Sequence, residues 1–307
     1  MKKEILSHLM SGLVLVLVSA LLICCAGDVP EVASRMDSAE GEEWLLPAPG
    51  IEWQVWGPET FRRARETDSP IFLYITARWS HASHLMEKIT FHDADVIRLM
   101  NENYIPVRVD RDRLPAIDRQ YQAATRALLG AGGWPLSLFL TPGGHLIHAE
   151  RFLPPEDRSG RPGMRRVLQS VAAQFREEKD SIIAEAENRS RLLEERQPRP
   201  EEGDLDNQLL AGIVNAVRPG LGSREGSRLA ILWAHRNNDT SLSDPALARL
   251  SFLSDGSTHD QIGGGFHRKA ADPAGRFPYF EKLTSTNAAL LDLYLQAYQL
   301  TGGQRFR

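Results

Sequence analysis

The sequence predicts an α/β domain followed by a partial all-α region, and three observations carry that reading. Short β-branched and aromatic runs alternate with helical spacing between residues 51 and 196. Residues 197–204 are Pro- and Glu-rich and read as a linker. From 205 to 307 apolar residues recur at helical spacing only, with no strand-like run between them. The chain has 307 residues, 42% hydrophobic and 25% charged, as expected of a folded protein rather than a disordered one. Its formal charge of −4 gives no global basic field, so nucleic acid is not an expected partner.

Pro58 stands at a favourable first helical position, with Phe61, Ala64 and Arg65 following at helical spacing. Pro70 to Thr76 reads as a buried strand. Ser80 to Lys88 opens a helix capped by Ser80 or Ser83, and Asp93 to Asn103 is a second amphipathic stretch. Ile105 to Asp110 is a strand, Pro115 to Leu128 a helix, and Gly132-Gly133-Trp134-Pro135 a turn. Leu136 to Leu140 is a strand whose hairpin partner is His145 to Ala149, after the turn at Pro142-Gly143-Gly144. Pro162 to Glu195 reads as one long helix, with Met164, Val167, Leu168, Val171 and Phe175 on one stripe. Past the linker, helices are expected around Leu209–Val217, Leu229–His235, Pro245–Leu253 and Asn287–Leu300. The last is apolar on most sides and is therefore expected to be buried.

Strand, helix, strand, hairpin and closing helix is the order of a thioredoxin fold. Trp53-Gln-Val-Trp56-Gly57, Pro70-Ile-Phe-Leu, Val109-Asp110-Arg111, Asp118-Arg119, Gly132-Gly133-Trp134-Pro135-Leu136 and Pro154-Pro155-Glu156-Asp157-Arg158 resemble the thioredoxin-like domain of the spermatogenesis-associated protein 20 family. That family carries Cys-His-Trp-Cys-His where this chain has Ser80-His81-Ala82-Ser83-His84. A thioredoxin reaction needs one thiolate to attack a disulfide and a second sulfur to resolve the intermediate. A serine hydroxyl does neither, so no dithiol–disulfide activity is expected. The resemblance further implies a cis proline at Pro135 beside the active-site helix. Trp134, Pro135 and the Ser80–His84 helix start would then form a groove for an extended peptide, unless the proline merely shapes its turn.

The same family continues into an (α/α) toroid similar to six-hairpin glycosidases. Asp260 to Arg268, Pro278 to Lys282 and Leu295 to Gly302 carry that part of the resemblance. It implies Asp260, His267 and Glu281 as catalytic residues for a carbohydrate ligand, a carboxylate pair supplying acid and base. The chain departs from the family's pattern at Tyr279, where the family has His, and at Leu283-Thr284-Ser285-Thr286. A closed toroid needs many more helices than follow the linker. Arg307 is therefore read as the end of a fragment, the alternative being that the apolar surface pairs with a partner or a second copy.

Two further chemistries stay open at His81 and His84. With His92 they offer an imidazole cluster for a metal, though without a further evident ligand no metal and no cofactor is assigned. Ser80 or Ser83 with His84 as base is the residue pairing of a nucleophile, without an orienting acid or a nucleophile-elbow motif.

The two cysteines, Cys24 and Cys25, are adjacent, and Ala26 to Arg307 contains no thiol. Lys2, Lys3 and the apolar run Leu13 to Ile23 lay out an export signal in residues 1–27, too short to read as a spanning helix. Leu22-Ile23-Cys24-Cys25 resembles a bacterial lipobox, with Cys25 as the lipidated residue and residues 28–50 as an acidic tether. A cleaved soluble form and an uncleaved signal anchor are the alternatives. The expected location is the bacterial cell envelope, with membrane attachment through lipid or anchor. The leading functional expectation is an exported, non-redox binding or scaffold module. The alternatives are sugar-directed hydrolase or epimerase chemistry in the helical region and a His-based metal site. Nothing in the sequence sets an oligomeric state.

Overall fold

A computed structural model of the chain describes residues 49–158, 160–195, 212–213, 224–237, 240–272 and 276–307. The export segment with Cys25, the tether through residue 48, the linker 197–204 and most of the helix expected near Leu209–Val217 lie outside those residues. Residues from Ala48 onward form one compact unit.

The strands are β1 (Ile71–Thr76), β2 (Ile105–Asp110), β3 (Leu136–Leu140) and β4 (Leu146–Glu150). They form one sheet in the order β2-β1-β3-β4. β1 pairs with β2 in parallel, starting from Ile71 opposite Ile105, and with β3 antiparallel, Ile75 opposite Leu136. β3 pairs antiparallel with β4. β1 is central because all six of its residues are buried, and alternate side chains serve opposite faces. Phe72 and Tyr74 join Phe139, Met86, Met100 and Leu168 in one apolar layer; Ile71, Leu73 and Ile75 join Val107, Leu138 and Tyr121 in the other.

The helices supply the two covers. These are α1 (Pro58–Glu66), α2 (His81–Ile89), α3 (Ala94–Asn103), α4 (Pro115–Leu129) and α5 (Met164–Glu177). Pro58 opens α1 and Pro115 opens α4, where the missing N–H costs nothing. Asp93 caps α3 by accepting from the Val96 N–H at 3.0 Å, and its carboxylate also meets Arg165 of α5. The Arg165 guanidinium, aided by these backbone bonds, holds the Asp93 carboxyl below its ordinary range. Pro106 lies on the edge strand β2, where its carbonyl accepts the Gln54 N–H at 2.7 Å.

The expected single helix from Pro162 to Glu195 is instead two, α5 and α6 (Lys179–Glu195), broken at Glu178 with φ −128° and ψ 32°. No proline or glycine marks the break; the two halves have different packing partners. α5 lays Met164, Leu168 and Val171 on the core, whereas α6 runs along the edge strand β4. There Arg189 donates to the carbonyls of Leu146 and Ile147 at 3.3 and 3.2 Å, giving an open edge a polar cover.

The helical region contains α7 (Arg224–Asn237), α8 (Thr240–Asp255) and α9 (Thr284–Thr301) around a core of Ile231, Leu242, Leu250, Leu290 and Leu293. Pro245 lies inside α8 rather than at its start. α9 buries one face only: Leu290 and Leu293 are inside, while Leu291 and Leu295 are exposed at 72% and 51%. Between α8 and α9 the chain doubles back on itself. The His267 N–H donates to the Thr258 carbonyl at 2.7 Å, the Arg268 N–H to Glu281 at 2.9 Å and the Tyr279 N–H to Lys269 at 2.9 Å. This paired segment forms a flap.

Candidate functional site

β1 ends at Thr76, and the chain turns through Ala77, Arg78 and Trp79 to enter α2 at Ser80. Ser80 is the N-cap. Its Oγ accepts the Ser83 N–H at 3.3 Å and donates to the Trp134 carbonyl at 3.4 Å. One hydroxyl thus satisfies a helix-end donor and ties the helix to the Trp134–Pro135 loop. Ser83 is fully buried, and its Oγ accepts the Ala77 N–H at 3.4 Å. His84 Nε2 meets the Arg78 carbonyl, and His92 Nδ1 meets that of Glu87 at 2.8 Å. His81 is exposed. Among the described residues no group of three or more His, Cys, Asp or Glu side chains stands together as a metal site.

The Trp134–Pro135 peptide bond is cis. Its loop is clamped by Gln122, which accepts the Gly133 N–H and donates to the Gly133 carbonyl, both at 3.0 Å. A Cβ at position 132 would lie 2.3 Å from Gln122 Oε1, so a larger residue there would displace the clamping amide. The Trp134 indole donates to the buried Asp118 at 2.8 Å.

Under this surface lies a buried charge pair. Glu87 of α2 accepts from Arg108 of β2 at 3.0 Å and from the Thr76 hydroxyl at 3.1 Å. Glu87 and Arg108 side chains are only 10% and 19% exposed.

The Ser80 helix start, the Trp134 loop and the flap together line one cleft of about 780 Å³. A row of alternating cations and rings crosses it. Arg111 lies 4.7 Å from the Trp134 ring and 5.8 Å from that of Trp79. Arg268 of the flap lies 4.9 Å from both Trp79 and Tyr279, and Lys269 lies 5.3 Å from Tyr279. Such contacts contribute about 0.5–2 kcal/mol each, and the one between Arg268 and Trp79 joins the flap to the sheet domain. No sequence periodicity points to it, because its members sit in loops. The residue types alone, aromatic and Arg beside a functional helix start, were the available signal.

The three residues expected to carry carbohydrate chemistry are not gathered in this cleft. Glu281 lines it, but its carboxylate is 2.8 Å from Arg268 Nη2. His267 lines a neighbouring cleft, with Nδ1 3.1 Å from the Phe280 carbonyl. Asp260 lines neither; it accepts the Ile262 and Gly263 N–H groups at 3.0 and 2.8 Å and is paired with Lys282. Lys282 and these N–H groups hold its carboxyl below its ordinary range, as befits a turn-forming anion.

The sheet order, the capped helix after β1 and the facing cis proline define a thioredoxin-like domain joined to a helical region. The family model Thioredox_DsbH, described as protein of unknown function DUF255, matches residues 46–194 of this chain. It is 30% identical to mouse spermatogenesis-associated protein 20 over 300 residues, 90% of this chain and 38% of that protein. Against the human spermatogenesis-associated protein 20 it is 31% identical over 278 residues, 83% of this chain and 35% of that one. The resemblance drawn from the motifs therefore holds, and the chain spans a little over a third of the length of these relatives. Among solved structures, a thioredoxin from Thermus thermophilus aligns with TM-score 0.31 and 18% identity, over 41% of this chain and 87% of that one. A structure titled DsbH oxidoreductase aligns with TM-score 0.31 and 19% identity, over 40% and 83%.

Proposed function

We propose that this chain is a thioredoxin-fold binding protein that works without dithiol chemistry. One observation carries the reading. The positions where a redox pair would sit hold Ser80 and Ser83, whose hydroxyls are spent on the helix cap, the Trp134 carbonyl and the Ala77 N–H. Removing sulfur leaves the helix start and the cleft intact. A cleft of this size falls within the range that ordinarily holds a ligand, about 300–1,000 Å³. We take its occupant to be an extended polypeptide lying beside Trp134 and Pro135, where backbone pairing requires no sulfur.

An unfolded polypeptide with all its cysteines blocked by a neutral alkylating reagent should bind the full chain. Trp134→Ala should weaken that binding about tenfold, as removal of an interface tryptophan commonly does. Fluorescence anisotropy reads both. No binding by the folded wild-type protein contradicts the proposal.

We further propose that the protein is exported and held at the cell envelope through Cys25. Lys2, Lys3 and the apolar run Leu13 to Ile23 support this reading. No described helix is long and apolar enough to cross a membrane. Cells fed a labelled fatty acid should mark the wild-type protein and not Cys25→Ser. Equal labelling of the two contradicts lipidation at that residue. The helical region we read as the opening hairpins of an (α/α) toroid, supported by α7 packing on both α8 and α9.

A further inference from the structure

The mouth of the cleft carries positive charge that its own walls do not balance. Arg151, just past β4, and Lys269, on the flap, both line it. Neither has a carboxylate within ion-pair distance among the described residues. Glu281 is the one acid among the described lining residues, and Arg268 already holds it. Burial, together with the neighbouring Arg268 and Arg151 and against the pull of Glu281, lowers the affinity of Lys269 for its proton. An incoming anion would relieve that repulsion.

The cleft also narrows what the anion belongs to. Trp79 and Tyr279 each already carry two cations against their rings. Those two rings are therefore not open for a sugar to stack on, and the exposed Phe280 is the lining ring that carries no cation among the described residues. Beside the polar Ser80–Trp134 wall stand the two unpaired cations, Arg151 and Lys269.

We propose that Arg151 and Lys269 form an anion subsite that selects an acidic side chain of an extended peptide held in the cleft. This rests on the peptide-binding reading above and adds a charge preference to it. Two cations converging on a carboxylate give charge-assisted hydrogen bonds and a strong dependence on ionic strength.

Two labelled, end-capped hexapeptides, alternating Glu-Ala and alternating Gln-Ala, test it against the full chain by anisotropy. The Glu peptide should bind about tenfold more tightly at low salt, with the gap closing as salt rises. The double variant Arg151→Gln/Lys269→Gln should bind the Glu peptide no more tightly than it binds the Gln peptide. Arg151→Lys/Lys269→Arg should keep the preference. The wild-type comparison decides the matter even if a variant fails to fold. Equal affinity for the two peptides overturns the subsite while leaving peptide binding standing. So does failure of the Glu peptide where the alkylated unfolded polypeptide binds. Tighter binding of trigalacturonate than of the Glu peptide overturns the assignment to a peptide. If neither the hexapeptides nor the unfolded polypeptide binds, the underlying reading falls with it.

Discussion

Glu87→Ala should lower the free energy of unfolding by about 3–5 kcal/mol, the cost of leaving one partner of a buried ion pair uncompensated. Glu87 is the acid that meets Arg108 at 3.0 Å, and both side chains are largely shielded from water. Removing the carboxylate strands the guanidinium between β2 and α2 and takes the acceptor from the Thr76 hydroxyl. The loss should reach the site, because α2 would lose its polar anchor to the end of β1. Urea unfolding of the single variant and of Glu87→Met/Arg108→Met separates pair from packing. The double variant should recover most of the stability, since desolvating two charges costs about as much as their attraction returns. A Glu87→Ala variant within about 0.5 kcal/mol of wild type, the ordinary range of surface substitutions, would show that the pair is not buried as described.

Ser80→Cys/Ser83→Cys should give the start of α2 a working dithiol pair. The first position sits at the N-cap of α2, where unsatisfied N–H groups favour an anion and lower a thiol pKa below its usual value of about 8.5. The second position is buried one turn on, placed to resolve a mixed disulfide. In a chain carrying Cys24→Ser/Cys25→Ser, mild oxidation should remove two hydrogens by mass when Ser80→Cys/Ser83→Cys is added and leave the parent, which lacks those two thiols, unchanged. If the double variant keeps two free thiols under oxidation, the two positions are not arranged as a redox pair. In that event the retained thioredoxin geometry would be wrong.

Much of this was legible in the sequence because the relevant signals are local. β1 announces itself as a continuous buried run, and Ser80 as a cap immediately before a helical stretch. The turn residues Gly132 to Pro135 announce the loop that faces it. What the sequence hid depends on partners distant along the chain. The break at Glu178 has no breaker residue; it follows from α5 and α6 meeting different surfaces. Likewise, nothing near Trp79 signals that Arg268 will lie against it. Asp260, His267 and Glu281 sit close in sequence as candidates for one chemistry, yet the folded flap directs each to a different partner. Tyr279, for its part, takes a place in the cation–ring row that crosses the cleft.

We propose that the domain keeps the thioredoxin geometry and does no dithiol chemistry. Reduction of insulin disulfides with dithiothreitol as the electron source tests it most directly. The purified wild-type chain should give the rate of dithiothreitol alone, while Ser80→Cys/Ser83→Cys should exceed it. Turnover by the wild-type protein above that background would contradict the account.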